Sequence, residues 1–226
     1  RNHFIKKLTE KAKRNKNIFL IVGDLGFNVV EEFANTFPDR FLNSGIAEQN
    51  MMGIASGLAS EGMHVFVYSI ANFPTFRCAE QIRNDVDYHN LPVTIVSIGG
   101  GFSYGNLGYS HHAVQDYGLL RMMPNMLIGS PGDNIETSGI LDYLSKNPQP
   151  SYLRLDKSFN ESIRKISIKI YPGKWVPLIK KPSKKLILTT GNTLRFYKNF
   201  INNKKYKDYS IYSLPLWGQK AKKNQS

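Results

Sequence analysis

A single glutamate, Glu48, stands at the start of a predicted helix made largely of small residues. This helix spans Ala47 to Ser60 and is rich in glycine, alanine and serine. Small side chains allow a ligand or another backbone to approach a helix closely. A carboxyl group in such a place can exchange a proton with a bound ligand near neutral pH. From spacing alone, the alternative is an exposed first-turn glutamate favoured by the helix dipole.

The other candidate side chains also follow predicted strands. Asp24 lies in a Gly-Asp-Leu-Gly turn, where an aspartate also suits turn or helix-cap geometry. Phe73 and Phe76 suit either core packing or stacking on a flat ligand. His111 and His112 end a glycine-rich loop and can transfer protons near neutral pH. Two histidines without a carboxylate or cysteine cluster do not predict a metal site, so no metal ligand is expected in this chain.

Strands and helices alternate through residues 1–156. This order predicts an α/β fold with a mainly parallel sheet sandwiched by helices. The predicted strands are 18–22, 41–42, 65–68, 92–98, 126–128 and 152–155. Ligands bind at the carboxyl ends of the strands in such sheets. The candidate loops, 23–28, 43–49, 70–76 and 99–112, all follow strands, so we expect their side chains to share one edge of the sheet.

The C-terminal part differs in composition from the rest. Residues 157–184 contain Pro172, Pro177 and Pro182 and are predicted to form a linker. Residues 185–226 predict the start of a second α/β domain, with strands at 185–190 and 210–213 and a helix at 194–201. Two strands and one helix bury too little apolar surface to be stable alone. We therefore expect this second domain to be incomplete.

Five segments carry a resemblance to a known family. The most informative is Phe-Pro-Asp-Arg-Phe-Leu-Asn-Ser-Gly-Ile-Ala-Glu-Gln-Asn-Met-Met-Gly, residues 37–53. It resembles the Gly-Ile-Ala-Glu-Gln-Asn motif of the pyrimidine-binding domain of the transketolase and deoxyxylulose-phosphate synthase superfamily. The segments Gly23-Asp-Leu-Gly and Phe37-Pro-Asp-Arg-Phe and those that begin at Gly108 and Leu120 match the same family in the same order. The resemblance covers residues 17–156 well, and Pro215-Leu-Trp-Gly resembles the family's C-terminal domain more weakly.

The resemblance implies thiamine diphosphate (TPP) as cofactor. It implies that Glu48 hydrogen-bonds N1′ of the aminopyrimidine and so promotes loss of the thiazolium C2 proton. Asp24 would lie beside the cofactor, and either Phe73 or Phe76 would stack on the aminopyrimidine. His111 would face the substrate and exchange protons with it. His112, which stands where glutamine is common in the family, would also lie at the substrate.

The family's Gly-Asp-Gly and asparagine motif for diphosphate and metal is missing from this sequence. The resemblance therefore implies a partner, an N-terminal transketolase-like subunit that holds the diphosphate through Mg²⁺ or Ca²⁺. We expect an α2β2 heterotetramer that transfers a two-carbon ketol unit between small sugars. A deoxyxylulose-phosphate-synthase-like enzyme and a 2-oxoacid dehydrogenase β-subunit are alternatives. Phe76 favours the transketolase reaction, because the synthases usually carry a substrate-binding arginine there, unless Arg77 takes that role.

Three positions differ from those that recognise phosphorylated sugars in the family. Leu107 replaces an aspartate, Ser130 replaces an arginine and Gly99 replaces a histidine. Loss of charge-assisted contacts would weaken recognition of a common sugar phosphate. We therefore expect the acceptor to be an aldose or a modified sugar, including a nucleotide-linked one.

Composition limits the class of protein. The net charge of +13 is concentrated near the C-terminus: residues 1–156 carry 13 Lys and Arg against 15 Asp and Glu, whereas residues 157–226 carry 17 against 2. Such a run predicts a solvated basic surface rather than specific nucleic-acid binding. No apolar run is long enough for a bilayer, and Cys78 is the single cysteine, so a cytoplasmic protein is expected. A non-catalytic subunit that binds a polyanion is the alternative outside enzymes.

Overall fold

A computed structural model describes residues 1–157, 162 and 166–221 of the chain. Its larger sheet has seven strands. Six are mutually parallel: β1 (Ile18–Val22), β2 (Phe41–Asn43), β3 (His64–Ile70), β4 (Val93–Ile98), β5 (Leu127–Gly129) and β6 (Ser151–Leu155). The last strand of the described residues, β10 (Leu216–Gly218), pairs antiparallel with β5. The strand order is β10-β5-β6-β4-β3-β1-β2, which confirms the predicted α/β fold.

Helices cover both faces of this sheet and bury two separate apolar cores. One core contains residues of α1 (Asn2–Ala12), α2 (Glu31–Thr36) and α6 (Asn134–Lys146). The other contains residues of α3 (Glu48–Ser60), α5 (Asp116–Arg121) and the segment that includes α4 (Ala79–Gln81) and a π-helical stretch, Ile82–Asp87. Among the described residues, no helix is long and apolar enough to cross a bilayer.

The central strands are apolar on both faces because helices pack on each side. Every residue of β4 is buried, and only the last residue of β3 is more than slightly exposed. These two strands pair over six residues, from Val65 with Val93 to Ile70 with Ile98. The sheet therefore has a rigid centre, and the loops that follow β3 and β4 start from fixed points at the same edge.

The helix predicted from Pro74 to Tyr88 is less regular than expected. The chain first forms a 3-10 turn at Phe76–Cys78, then one turn of α-helix, then the π-helical stretch. The Thr75 hydroxyl donates to the carbonyl oxygens of Ala71 and Asn72, which stabilises a tight turn after β3 instead of a helix start. The turn places Phe73 before the helical segment.

The C-terminal residues form a smaller sheet and also extend the larger one. The smaller sheet has the order β7-β9-β8, from the strands β7 (Val176–Ile179), β8 (Leu186–Thr189) and β9 (Ser210–Ser213), with α7 (Tyr197–Ile201) between the last two. Strand β7 lies in the stretch predicted as a linker, which is therefore not irregular throughout. It pairs antiparallel with β9, and its register shifts between Pro177 and Ile179 because proline has no N–H to donate.

Candidate active site

Glu48 is the first residue of α3, and its side chain is buried. The residue is 2% exposed. An Arg77 Nη1 atom donates to Glu48 Oε2 at 2.7 Å, whereas about half of the Arg77 side chain is exposed. A buried carboxylate thus lies at a helix N-terminus, with its ion-pair partner at the rim of the site. This arrangement suits a carboxylate that later bonds a polar ligand atom in place of arginine.

Phe73 links Glu48 to the histidine loop. The Arg77 guanidinium carbon lies 5.3 Å from the Phe73 ring centroid. On the same ring, His111 packs edge-on with centroids 5.2 Å apart. Tyr104 lies 6.0 Å from His111 on the same loop. The structure therefore brings Glu48, Phe73 and His111 into one connected cluster.

Phe76 has no ring contact with the residues of this cluster. It begins the 3-10 turn after Phe73 and is 45% exposed. The ring contacts of the described residues include Phe73 but not Phe76. Of the two phenylalanines that the sequence left open, Phe73 is thus the one whose ring contacts Arg77 and His111. The stacking role on a pyrimidine remains a prediction for either ring.

His111 and His112 lie at the end of the loop between β4 and α5. The His111 Nδ1 atom lies 3.0 Å from the Ser110 hydroxyl, and His112 Nε2 donates to the Gly105 carbonyl at 3.0 Å. Asn72 fixes this loop from the β3 side: its amide nitrogen donates to the carbonyls of Ser110 and His112 at 3.3 and 2.6 Å. The sequence analysis missed Asn72, although its position next to Phe73 was a usable signal.

Asp24 follows β1 at the same edge of the sheet, and its hydrogen bonds are with Asn43. It has a φ of 55°, an unusual backbone for a residue other than glycine. Asn43 stabilises it: Asp24 N donates to Asn43 Oδ1 at 2.9 Å, and Asn43 Nδ2 donates to Asp24 Oδ1 at 3.2 Å. The same Asn43 oxygen accepts from Gly45 N at 3.0 Å. Asn43 therefore connects the Asp24 turn to the segment that leads into Glu48.

The three positions that differ from the family have different surroundings. A side chain at Gly99 would collide with Tyr104, because a Cβ atom there would lie 2.1 Å from that ring. Leu107 is 49% exposed at the loop surface. Ser130 is fully buried and hydrogen-bonded to the Tyr117 hydroxyl, so it points into the protein and not to an open site.

Two further side chains are Cys78, which lies near Glu48, and Lys157, which lies beside Tyr104 of the histidine loop. Burial, followed by the charge of Glu48, raises the pKa of the Cys78 thiol to about 12. Cys78 is therefore a thiol at neutral pH and unsuited to act as a nucleophile. Lys157 places its ammonium 4.7 Å from the Tyr104 ring centroid, which adds a positive charge beside the loop. Within the described ranges, no three His, Cys, Asp or Glu side chains cluster in a way that could hold a metal ion.

Comparison with known proteins identifies the family. The sequence profile of the family described as "Transketolase, pyrimidine binding domain" matches residues 1–161 of this chain. One subunit of the apulose-4-phosphate transketolase of Phocaeicola vulgatus is 36% identical over 159 residues, which cover 70% of this chain and 51% of that protein. The corresponding protein of Actinobacillus succinogenes is 31% identical over 194 residues, which cover 85% of this chain and 62% of that protein. The chain thus spans about half the length of the curated relatives it matches.

One solved structure is similar to this chain in both fold and sequence. It is described as a split gene transketolase, an inactive β4 tetramer, and it aligns with a TM-score of 0.83 at 30% identity. The alignment covers 94% of this chain and 70% of that one. The resemblance inferred from the five sequence segments is confirmed, and this chain belongs to the transketolase pyrimidine-binding domain family.

Proposed function

We propose that this chain is one subunit of a TPP-dependent, transketolase-like transferase in which Glu48 activates the cofactor. The observation that carries the proposal is the buried Glu48 carboxylate at the N-terminus of α3, connected through Arg77 to the Phe73 ring. A flat ring and a buried carboxylate that both contact one arginine suit an aminopyrimidine, which needs an aromatic contact and a hydrogen-bond partner at one ring nitrogen.

Among the described residues, those around Glu48 fit the pyrimidine half of the cofactor. TPP would supply the carbanion chemistry of ketol transfer when bound. Glu48 would hold a proton at N1′ of the pyrimidine, and Phe73 would fix the plane of the ring. Asp24, at the same edge, would lie beside the cofactor. His111, which packs on Phe73, would exchange a proton with the substrate, and His112 would line the substrate side of the same loop.

The diphosphate half of the site would come from a partner chain. The described residues contain no cluster of ligands for a divalent ion, and such an ion would need several oxygen ligands to hold a diphosphate. We propose an N-terminal transketolase-like partner that holds Mg²⁺ or Ca²⁺, in an α2β2 assembly. The similarity to subunits of other transketolases and to a split gene transketolase supports a two-chain enzyme.

The acceptor would be a modified sugar rather than a common pentose phosphate. Tyr104 fills the space that a side chain at position 99 would need, so the loop presents an aromatic ring to the ligand instead of a charged group. Lys157 lies beside that ring. Aromatic rings pack well on the faces of sugars and bases. Two relatives are transketolase subunits named for apulose 4-phosphate, which supports a sugar as the substrate.

A deoxyxylulose-phosphate-synthase-like reaction is the second candidate, and one contact favours it. Arg77 is the residue that could replace the synthase arginine. Its guanidinium packs on the Phe73 ring and donates to Glu48. A guanidinium there could bind the carboxylate of a 2-oxoacid donor. Assays of the two-chain enzyme with pyruvate and with ketose phosphates as donors separate the two reactions.

The test of the proposed function is proton exchange at C2 of bound TPP. Glu48→Gln keeps the side-chain size but removes the acidic proton, so exchange should slow by at least about a hundredfold, as expected for loss of a general acid or base. The measurement is deuterium exchange into TPP on the enzyme reconstituted with its partner chain. Gln49→Glu in the same helix turn serves as the control. Equal exchange rates in wild type and Glu48→Gln would remove Glu48 from the mechanism.

A further inference from the structure

The loop that carries both histidines is closed at its base by a pair of backbone hydrogen bonds. Gly101 N donates to the Ala113 carbonyl at 2.8 Å, and Ala113 N donates to the Gly101 carbonyl at 2.9 Å. Ala113 immediately follows His111 and His112. The positions of these two rings therefore depend on how firmly Ala113 is held.

Arg154 lies on β6, the strand next to β4, and binds the Ala113 carbonyl. Its Nη2 atom donates to the Ala113 carbonyl at 2.5 Å, and its side chain is 15% exposed. The guanidinium also lies against the start of the loop, because a Cβ atom at Gly100 would come within 1.8 Å of Arg154 Nε. Glycine at position 100 thus leaves room for the arginine, and Arg154 contacts both ends of the loop.

The guanidinium of Arg154 is itself fixed by buried groups. Arg154 Nε lies 3.3 Å from Asp116 Oδ2, and Asp116 is fully buried in the first turn of α5. The Tyr152 hydroxyl donates to the same Asp116 oxygen at 2.5 Å. On the other side, the Tyr117 ring centroid is 4.2 Å from the Arg154 guanidinium carbon. Arg154 therefore has one well-defined position.

Both side chains of the Asp116–Arg154 salt bridge are largely buried, whereas the Glu48–Arg77 salt bridge includes a half-exposed arginine. Burial raises the pKa of Asp116, and the neighbouring Arg154 charge opposes that change. A buried ion pair often stabilises a core no more than apolar side chains of similar volume would, because both charges must leave water. Its location at the base of the histidine loop therefore points to a role in geometry.

We propose that Arg154 and Asp116 are positioning residues, which act through Ala113 to hold the loop that carries His111 and His112, so that the His111 ring stays against Phe73 and both histidines face the bound substrate. The role of the two histidines rests on the proposed function. The contact of Arg154 and Asp116 with the histidine loop does not depend on it. Neither Arg154 nor Asp116 is assigned a contact with cofactor or substrate. Their loss should affect the steps that need His111 and leave the proton exchange that needs Glu48.

The first test is amide hydrogen exchange on the full chain, without cofactor. Arg154→Lys keeps a positive charge opposite Asp116 but, with one ammonium instead of a planar fork, cannot also bond Ala113 as arginine does. Exchange in residues 99–113 should rise by about tenfold or more, the effect of one lost charge-assisted hydrogen bond. Exchange in β3 and β4 should stay as in wild type. Arg121→Lys, at the exposed end of α5, is the control.

The second test uses the reconstituted two-chain enzyme. For Arg154→Lys, turnover should fall by about tenfold or more, while deuterium exchange at C2 of TPP stays within about twofold of wild type. Asp116→Asn, which keeps the side-chain shape and an oxygen for Tyr152, should behave in the same way and replaces Arg154→Lys if the lysine variant does not fold.

Two results would overturn the inference. One is unchanged loop exchange in both variants, and the other is an equal loss of turnover and C2 exchange, which would indicate a general loss of structure. Absence of C2 exchange in the wild-type enzyme would instead refute the proposed function, and the loop-exchange result would still decide whether the pair holds the loop.

Discussion

The Glu48–Arg77 contact joins the buried carboxylate of the candidate site to a half-exposed guanidinium. Glu48 is buried, and the described residues provide one charged partner for it, Arg77, at 2.7 Å. A pyrimidine nitrogen that bonds Glu48 would compete with this guanidinium or use the second carboxylate oxygen. The half-exposed position of Arg77 allows it to move without repacking of the core. At the residue scale, the pair is thus a contact that can open.

A double-mutant cycle measures this pair. Arg77→Gln leaves the buried Glu48 carboxylate without its charged donor, so unfolding free energy should fall by about 1–2 kcal/mol, the low end for a hydrogen bond to a charged group because Arg77 is half exposed. In the Glu48→Gln background the same change should cost little, since no charge remains to be stabilised. Urea unfolding of the four proteins gives the coupling energy, and a coupling near zero would contradict the contact.

The sequence could place Glu48 at a helix start, but it could not identify Arg77 as its partner. The motif around Glu48 is local, whereas Arg77 lies 29 residues away, in a turn whose geometry depends on Thr75 and Asn72. The same turn explains why the choice between Phe73 and Phe76 stayed open. A regular helix from Pro74 would have fixed their relative directions, but this segment begins with a 3-10 turn.

At the scale of elements, local patterns predicted the parallel strands well and the C-terminal strands less well. Strands β3 and β4 are continuous apolar runs, a pattern that a sheet covered on both faces requires. Strand β10 has three residues, and its partner β5 lies about ninety residues earlier in the chain. So short a strand has too few residues to show a pattern, and its pairing depends on the packing of Leu216.

Leu216 tests whether the C-terminal strand belongs to the core of the larger sheet. It is fully buried, whereas Leu188 on the smaller sheet is 56% exposed. Leu216→Ala should lower the unfolding free energy by about 2–4 kcal/mol, the range for a leucine removed from a packed core. Leu188→Ala, the matched control, should change it by less than about 1 kcal/mol. Equal effects in urea unfolding would show that β10 is a peripheral addition.

At the scale of the whole molecule, large apolar side chains are exposed in the loops that surround the candidate site. We call this set the apolar rim; it consists of Phe27, Ile46, Phe102, Leu107 and Tyr109, which are 49–78% exposed. These residues follow β1, β2 and β4 and therefore lie at the edge where the carboxyl ends of the strands meet. Clustered exposed apolar residues mark contact surfaces. The rim surrounds the Glu48 cluster, where the proposed partner would bind.

Ile46 provides the last prediction, because it lies two residues before Glu48 and is 78% exposed. Ile46→Asp places a charge in the apolar rim, and burying that charge against a partner should weaken assembly by at least about tenfold, given the penalty for an unpaired buried charge. Folding of the isolated chain should not change, since the Ile46 side chain belongs to neither apolar core. Tyr88→Asp is the control: Tyr88 is equally exposed, at 79%, but precedes β4 at the opposite edge of the sheet.

Titration calorimetry with the partner chain measures assembly, and titration of TPP with Mg²⁺ into the mixture measures binding of the cofactor by the two chains together. Wild type and Tyr88→Asp should bind TPP only when the partner is present, and Ile46→Asp should bind it weakly under the same conditions. Tight TPP binding by the isolated chain, or normal assembly of Ile46→Asp, would contradict a cofactor site shared across the apolar rim.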